Sequence, residues 1–176
     1  MNIIFITNTL NQVGGIERFI SILSDYFIES LNYNVTIIDL HSKEFNGFFS
    51  LNKNINLEIL NISPLENLSI KSKMFKMKEV GEKVSNVLKN YEADIIITFH
   101  PSVSRYILFQ KNKFKKSKII VTEHNNHNVY SKKANIINLF TYKKADKLVV
   151  FTEYEKNFYN QFIKNVILLK NIEDSM

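Results

Sequence analysis

Short apolar runs alternate along the chain with longer stretches in which apolar residues recur every third or fourth position. An unbroken apolar run of roughly four to eight residues suits a strand buried on both faces, and a period of about 3.6 residues suits an amphipathic helix. Strands are therefore expected over Asn2–Thr7, Asn34–Leu40, Asn56–Leu60, Asp94–Phe99, Lys118–Thr122, Lys147–Phe151 and Asn165–Leu169. Between them, Gly15–Leu31 sets Ile16, Phe19, Ile20, Leu23, Phe27 and Leu31 on one helical face and leaves Glu17, Arg18, Ser21 and Asp25 largely outside. Further helices are expected over Ser69–Tyr91, Ser102–Lys113, Ser131–Lys144 and Glu153–Phe162, while His41–Lys53 shows no clean period. Alternation of strand and helix is the sequence form of a parallel sheet with crossover helices. The expected fold is α/β: a three-layer α/β/α Rossmann-like domain whose mostly parallel sheet has about seven strands. Neither a repeat nor a linker divides the 176 residues, so one domain is expected.

Composition narrows the class without choosing a function. A hydrophobic content of 45% supplies a real core, and 23% charged residues without biased tracts excludes disordered and fibrous classes. The absence of cysteine removes disulfides, thiolate nucleophiles and Cys-ligated metal centres, and it suits a reducing compartment. The first apolar run lacks the basic start and longer apolar core of an export signal and reads as a strand. The net charge of +6 invites anionic partners, but only Arg18 and Arg105 are arginines. Base and phosphate readout favours arginine and interleaved aromatics, so nucleic acid is not an expected partner. The stretch from Ser69 mixes Lys71, Lys73, Lys76 and Lys78 with Ile70, Met74, Phe75 and Met77, a mixture suited either to a solvated face or to an anionic membrane surface.

The unusual polar clusters all follow strands. They are TNTLNQVGGIERF after the first, FHPSVS after the Asp94 strand, TEHNNHN after the Lys118 strand, TEYEKNF after the Lys147 strand and KNIED after the last. In an open parallel sheet such loops gather beyond the carboxyl ends of the strands, where ligands bind. Gly14 and Gly15 open the first helix, and the missing Cβ atoms would let a phosphate or sugar reach its amides; the same glycines could simply permit a tight turn. No GxGxxG or GK[ST] accompanies them, so neither a dinucleotide nor a P-loop site is indicated. His100 and His124 end neighbouring strands, where an imidazole can bond a substrate hydroxyl or cap the next helix. Glu123, His124 and His127 lack the spacing of a metal motif, and no metal is expected. A response-regulator receiver would need acids after the first strand, and Asn8–Val13 has none.

Taken in order, GGIERF, ADIIITFHPS, IIVTEHNNH, ADKLVVFTEYEKNFY and VILLKNIED resemble the N-terminal domain of family 4 retaining glycosyltransferases of GT-B fold, over essentially the whole chain. The resemblance implies that Gly14 and Gly15 face the donor phosphates, and that His124 contacts the transferred sugar and is the residue needed for activity. It implies that His100 lies in the acceptor-side loop with Arg18, Asn125 and His127 nearby in substrate-binding positions. Thr152 would open the helix after VVF on the cofactor side, and Asn171 and Asp174 would match the interdomain hinge, although Ile172–Glu173 departs from the family pattern there. It further implies a nucleotide-sugar donor, a carbohydrate or lipid-linked acceptor, and a second Rossmann-like domain that would hold the nucleotide. On this expectation residues 1–176 are the acceptor-side half, inactive alone, with a cytoplasmic location at the inner membrane face and a role in bacterial surface polysaccharide synthesis. The alternative is a non-catalytic subunit that presents lipid-linked acceptor to a separate donor-binding chain.

Overall fold

A computed structural model describes residues 1–63 and 70–170. Seven strands form one sheet: β1 Asn2–Thr7, β2 Asn34–Asp39, β3 Asn56–Ile59, β4 Ile95–Thr98, β5 Lys118–Glu123, β6 Lys147–Val150 and β7 Val166–Leu168. Their order is β3-β2-β1-β4-β5-β6-β7, and every pairing is parallel. The five α-helices are α1 Gly15–Glu29, α2 Ile70–Leu88, α3 Pro101–Phe109, α4 Lys132–Tyr142 and α5 Glu153–Asn160. Ile4, Ile6, Ile96, Ile119, Val121 and Leu148 point to one face of the sheet and pack against Val84, Tyr106, Ile107, Tyr142 and Tyr159. Ile3, Phe5, Val35, Ile37, Ile97 and Phe99 point to the other face, against Ile20, Phe19, Leu23 and Phe27 of α1. This two-sided burial is why the strands read as nearly continuous apolar runs rather than alternating ones.

The α/β/α Rossmann-like layering matches the expectation, with small shifts at the ends. α1 stops two residues early because Asn32 turns the chain at a φ of 53°. The stretch read as one helix over Ser102–Lys113 begins at Pro101, where a missing N–H costs nothing, and ends at Phe109 before a separate 3₁₀ turn over Lys111–Phe114. Asn171 and Asp174, assigned to the hinge, lie outside the described residues, as do the side chains of Lys71 and Lys73. One residue reverses its expected side: Glu17 is buried, although the helical pattern of α1 leaves it among the outward residues. Its carboxylate folds back beneath the turn at Gly14, so close that a Cβ on Gly14 would lie 2.6 Å from Oε2.

The strand order reverses direction between β1 and β4, which opens a crevice at their carboxyl ends. The loop after β1 is held there by Asp39, the fully buried last residue of β2. Its carboxylate accepts from the backbone N–H of Leu10 at 2.8 Å, of Ser42 at 2.9 Å and of His41 at 3.1 Å. Thr9 and Ser42 hydroxyls meet at 2.7 Å, and the side chain of Asn11 donates to the carbonyl of Glu44. Asp39→Ala is expected to lower unfolding free energy by about 3 kcal/mol, because it strands buried N–H groups. Asp39→Asn, which keeps one acceptor oxygen, should cost visibly less. Urea unfolding followed by circular dichroism checks both, and equal losses would contradict the assignment.

Candidate functional site

Five loops converge at the carboxyl pole: Asn8–Gly14 after β1, His41 and Ser42 after β2, Phe99–His100 after β4, His124–Asn126 after β5 and Phe151–Thr152 after β6. The first and third meet directly, since Ser102 Oγ donates to Asn8 Oδ1 at 3.1 Å. At the head of α1, Gly14 is extended at φ −151°, and neither glycine adopts a positive φ. The backbone there does not demand glycine. A Cβ on Gly14 would strike Glu17, and a Cβ on Gly15 would find nothing within 4 Å. Among the described residues no side chain caps α1, and space is open over Gly15 at its first turn. Arg18 sits on the exposed side of that first turn.

His124 stands in an aromatic cage. Its ring stacks on Phe151 at 4.5 Å and on Phe99 at 6.1 Å, and Phe19 of α1 meets it edge-on at 5.4 Å. Its Nε2 lies 3.0 Å from Thr122 Oγ1, whose own proton goes to the carbonyl of Thr98, also at 3.0 Å. A carbonyl can only accept, so the threonine oxygen must accept from Nε2–H, which leaves Nδ1 as the bare acceptor of a neutral ring. Burial drives the His124 pKa down from 6.5 to about 4, with a further push from His100. Burial likewise lowers His100 to about 4, assisted by His41, whose Nδ1 donates to the carbonyl of Ile62 at 2.6 Å. His100 is the N-cap residue of α3 by position, but its side chain makes no capping bond. Among the described residues its buried Nε2 has no hydrogen-bond partner, and nor does Thr7 Oγ1 at the end of β1.

The rest of the TEHNNHN loop turns to the opposite side. Glu123 is buried and accepts from Tyr142 at 2.7 Å, from Tyr130 at 2.9 Å and from the Asn125 backbone at 3.1 Å, with burial raising its pKa. Asn125, expected to contact substrate, spends its amide on Tyr130. His127, grouped with it in that expectation, is buried between Tyr154 and Phe158, with Phe158 only 3.6 Å away and nearly coplanar. Its Nδ1 bonds Glu155 Oε1 at 2.9 Å, and the same carboxylate faces its backbone N–H. Glu123, His124 and His127 therefore point three ways, and among the described residues no three such side chains converge as ligands. Thr152 caps α5 by accepting from the Glu155 N–H at 3.1 Å. The structure thus brings His100 and His124 together, sets Gly14, Gly15 and Arg18 at the first turn of the helix whose Phe19 meets His124, and gives Asn125, His127 and Thr152 partners of their own.

Several contributors escaped the sequence reading: Asp39, Glu155, Thr122, His41 and the cage of Phe19, Phe99 and Phe151. Asp39 and Glu123 carried a signal, since each is a lone acid closing an apolar strand, where a charge survives only with partners. The cage had none, because its rings come from three separate segments.

The fold is a Rossmann-like α/β/α domain shared with solved GT-B glycosyltransferases, with its polar loops at the strand carboxyl ends. No protein-family model matches the chain. It is 24% identical over 172 residues to the amylovoran biosynthesis glycosyltransferase AmsD of Erwinia amylovora, covering 97% of this chain and 45% of that protein. It is 27% identical over 175 residues to a Campylobacter jejuni α-1,4-N-acetyl-D-galactosaminyltransferase that acts on an undecaprenol-diphosphate-linked glycan, covering 97% and 46%. Among solved structures, sucrose-phosphate synthase from Thermosynechococcus elongatus superposes with a TM-score of 0.72 at 11% identity, covering 97% of this chain and 48% of that one. The lipopolysaccharide outer core galactosyltransferase WaaB gives 0.69 at 18%, covering 97% and 46%. The chain thus spans about half the length of the curated relatives it matches.

The two depressed imidazoles fix a pH dependence. A histidine held neutral by the fold lends stability above its unfolded value near 6.5, and loses it as pH falls towards about 4. Glu123, with its raised pKa, works in the opposite sense. The urea midpoint should therefore drop between pH 6.5 and 4. That drop should shrink in a His100→Gln/His124→Gln variant, and unchanged pH curves for the two proteins would refute the assignment.

Proposed function

We propose that this chain is the acceptor-side half of a nucleotide-sugar-dependent glycosyltransferase that builds a surface polysaccharide or lipid-linked glycan. The observation that carries the reading is the caged neutral His124 beside the uncapped head of α1, in a chain whose sequence relatives are glycosyltransferases. Retaining transfer asks the protein to hold a leaving diphosphate and to position hydroxyl groups, with little covalent chemistry of its own. The amides over Gly15, with Arg18 at the same turn, meet negative charge where the imidazoles, uncharged at neutral pH, do not. His124 Nδ1, with its tautomer set by Thr122, accepts a hydroxyl of the transferred sugar. His100, whose Nε2 has no hydrogen-bond partner among the described residues, lies on the acceptor side.

A crevice open on one side excludes little water and grips no nucleotide base, so the chain alone is inactive and works with a second Rossmann-like half, in cis or as a partner chain. No metal takes part in this proposal. The place of action is the cytoplasmic face of a membrane, where lipid-linked acceptors are presented. Among the described residues no helix is long and apolar enough to cross a membrane. An acceptor-presenting subunit of a split enzyme is the same geometry with the donor half on another chain.

The test compares this chain with a protein that carries both halves. UDP-GlcNAc, UDP-Gal and UDP-GalNAc titrated calorimetrically into the chain should bind no tighter than about millimolar. In the two-half protein, assayed with the same donors and undecaprenyl-diphosphate-linked acceptor, His124→Ala should cut kcat about 100-fold. Full turnover by the isolated chain, or an unaffected His124→Ala enzyme, would end the proposal.

A further inference from the structure

We infer that the outward face of α4, joined by Phe109 of α3, is a docking surface for anionic lipid headgroups. Ile136 and Phe140 stand one helical turn apart with 68% and 62% of their surfaces exposed. Apolar side chains of this size normally turn inward on a helix that already buries Asn138, Thr141 and Tyr142 against its neighbours. Lys132 and Lys133 lie a turn before the pair, and Lys143 and Lys144 a turn after. Lys144 Nζ sits 4.8 Å above the ring of Phe109 and 5.3 Å above that of Phe140, which gathers both rings beneath one cation. Residues 131–145 contain no acid, and the next one, Asp146, is taken by Lys111 and Lys118.

Charge and shape choose the occupant. A two-fold contact with a second copy would set these lysines against themselves, and a donor-binding half would close on the crevice at the strand ends, not on the outside of this layer. Apolar residues that can enter the acyl boundary, flanked at both ends by long cationic chains that reach the headgroups, suit an anionic bilayer surface. α2, the segment singled out from its sequence, fits less well, because Lys76 pairs with Glu79, and Lys78 lies 3.9 Å from Glu82. Nothing in this inference uses sugar-transfer chemistry, so it can fail or hold independently of the transferase reading.

The experiment is co-sedimentation of the chain with phosphatidylcholine vesicles, with and without about 30 mol% phosphatidylglycerol. The wild-type chain should partition onto the anionic vesicles at least about tenfold better than onto neutral ones, and raised salt should release it. Ile136→Ser/Phe140→Ser should weaken that partition about tenfold, and Lys143→Gln/Lys144→Gln should weaken it while flattening the salt dependence. Phe75→Ser/Lys78→Gln on α2 should bind as wild type. Ile136, Phe140, Lys143, Phe75 and Lys78 are exposed and Lys144 is half-buried at the helix end, so thermal unfolding midpoints should stay together; if the serine variant did not fold, the glutamine variant alone would decide the matter. Absence of binding to anionic vesicles, wild-type binding by the folded α4 variants, or a loss confined to the α2 variant would overturn the inference. So would retention on polyglutamate without vesicle binding, which would put an acidic protein in place of the membrane.

Discussion

A wholly parallel sheet delivers every strand-to-helix loop to one pole, and those loops become ordered only if their backbone N–H groups find acceptors away from water. Here three buried carboxylates supply them. Asp39 gathers the amides of Leu10, His41 and Ser42; Glu123 gathers Asn125 and two tyrosine hydroxyls; Glu155 receives the backbone and ring of His127. Each acid sits at a strand end or helix start and bonds at least one partner from another segment, so the sheet and its loops fix one another. The crevice is rigid where it is built from these bonds. It is left open over Gly15, where no atom of the described residues stands within 4 Å of a Cβ position.

The same geometry divides labour between charge and hydrogen bonding. Desolvation by Phe19, Phe99 and Phe151 keeps His124 neutral, and the chain Thr98–Thr122–His124 then decides which ring nitrogen is a donor. A neutral imidazole of fixed tautomer reads the orientation of a hydroxyl but offers no resident charge to a diphosphate. Negative charge must be met by the dipole and free amides of α1, a weaker and more open arrangement. Strong binding of a charged donor therefore calls for further surface. On the proposed function, that is the physical ground for placing the nucleotide in a second half rather than in this crevice.

Much of the fold was legible because local pattern and tertiary role agree. The apolar runs of β1, β4 and β5 can only be buried strands, and α1 announces itself by the spacing of Ile16, Phe19, Ile20, Leu23 and Phe27. The pattern fails where a polar residue is buried for a local reason, as with Glu17, whose carboxylate serves the Gly14 turn rather than solvent. The site was legible at His100 and His124 for a topological reason: residues that follow neighbouring strands must meet. It was not legible at His127, because two histidines three residues apart in one loop look alike in sequence. Only the packing of α5, through Phe158 and Glu155, decides that one faces the crevice and the other the helix layer. Thr122 was hidden for a further reason, since its role consists of two hydrogen bonds and no change in pattern.

The position of α4 connects the crevice with the outer surface. Ser131 caps the helix only seven residues after His124, and the intervening turn is pinned by Asn135 donating to the carbonyl of His127 and by Asn126 capping its own short helix. A crossover helix in a parallel sheet runs back against the strands, so the Ile136–Phe140 ridge extends away from the crevice along the outside of the layer. A surface that holds the chain by this ridge leaves the strand carboxyl pole uncovered. Membrane contact through the crevice itself would instead block the opening over Gly15. Docking on the side and chemistry at the end are compatible because α4 buries Asn138, Thr141 and Tyr142 on its inner face, leaving its outer face free of any part in the core.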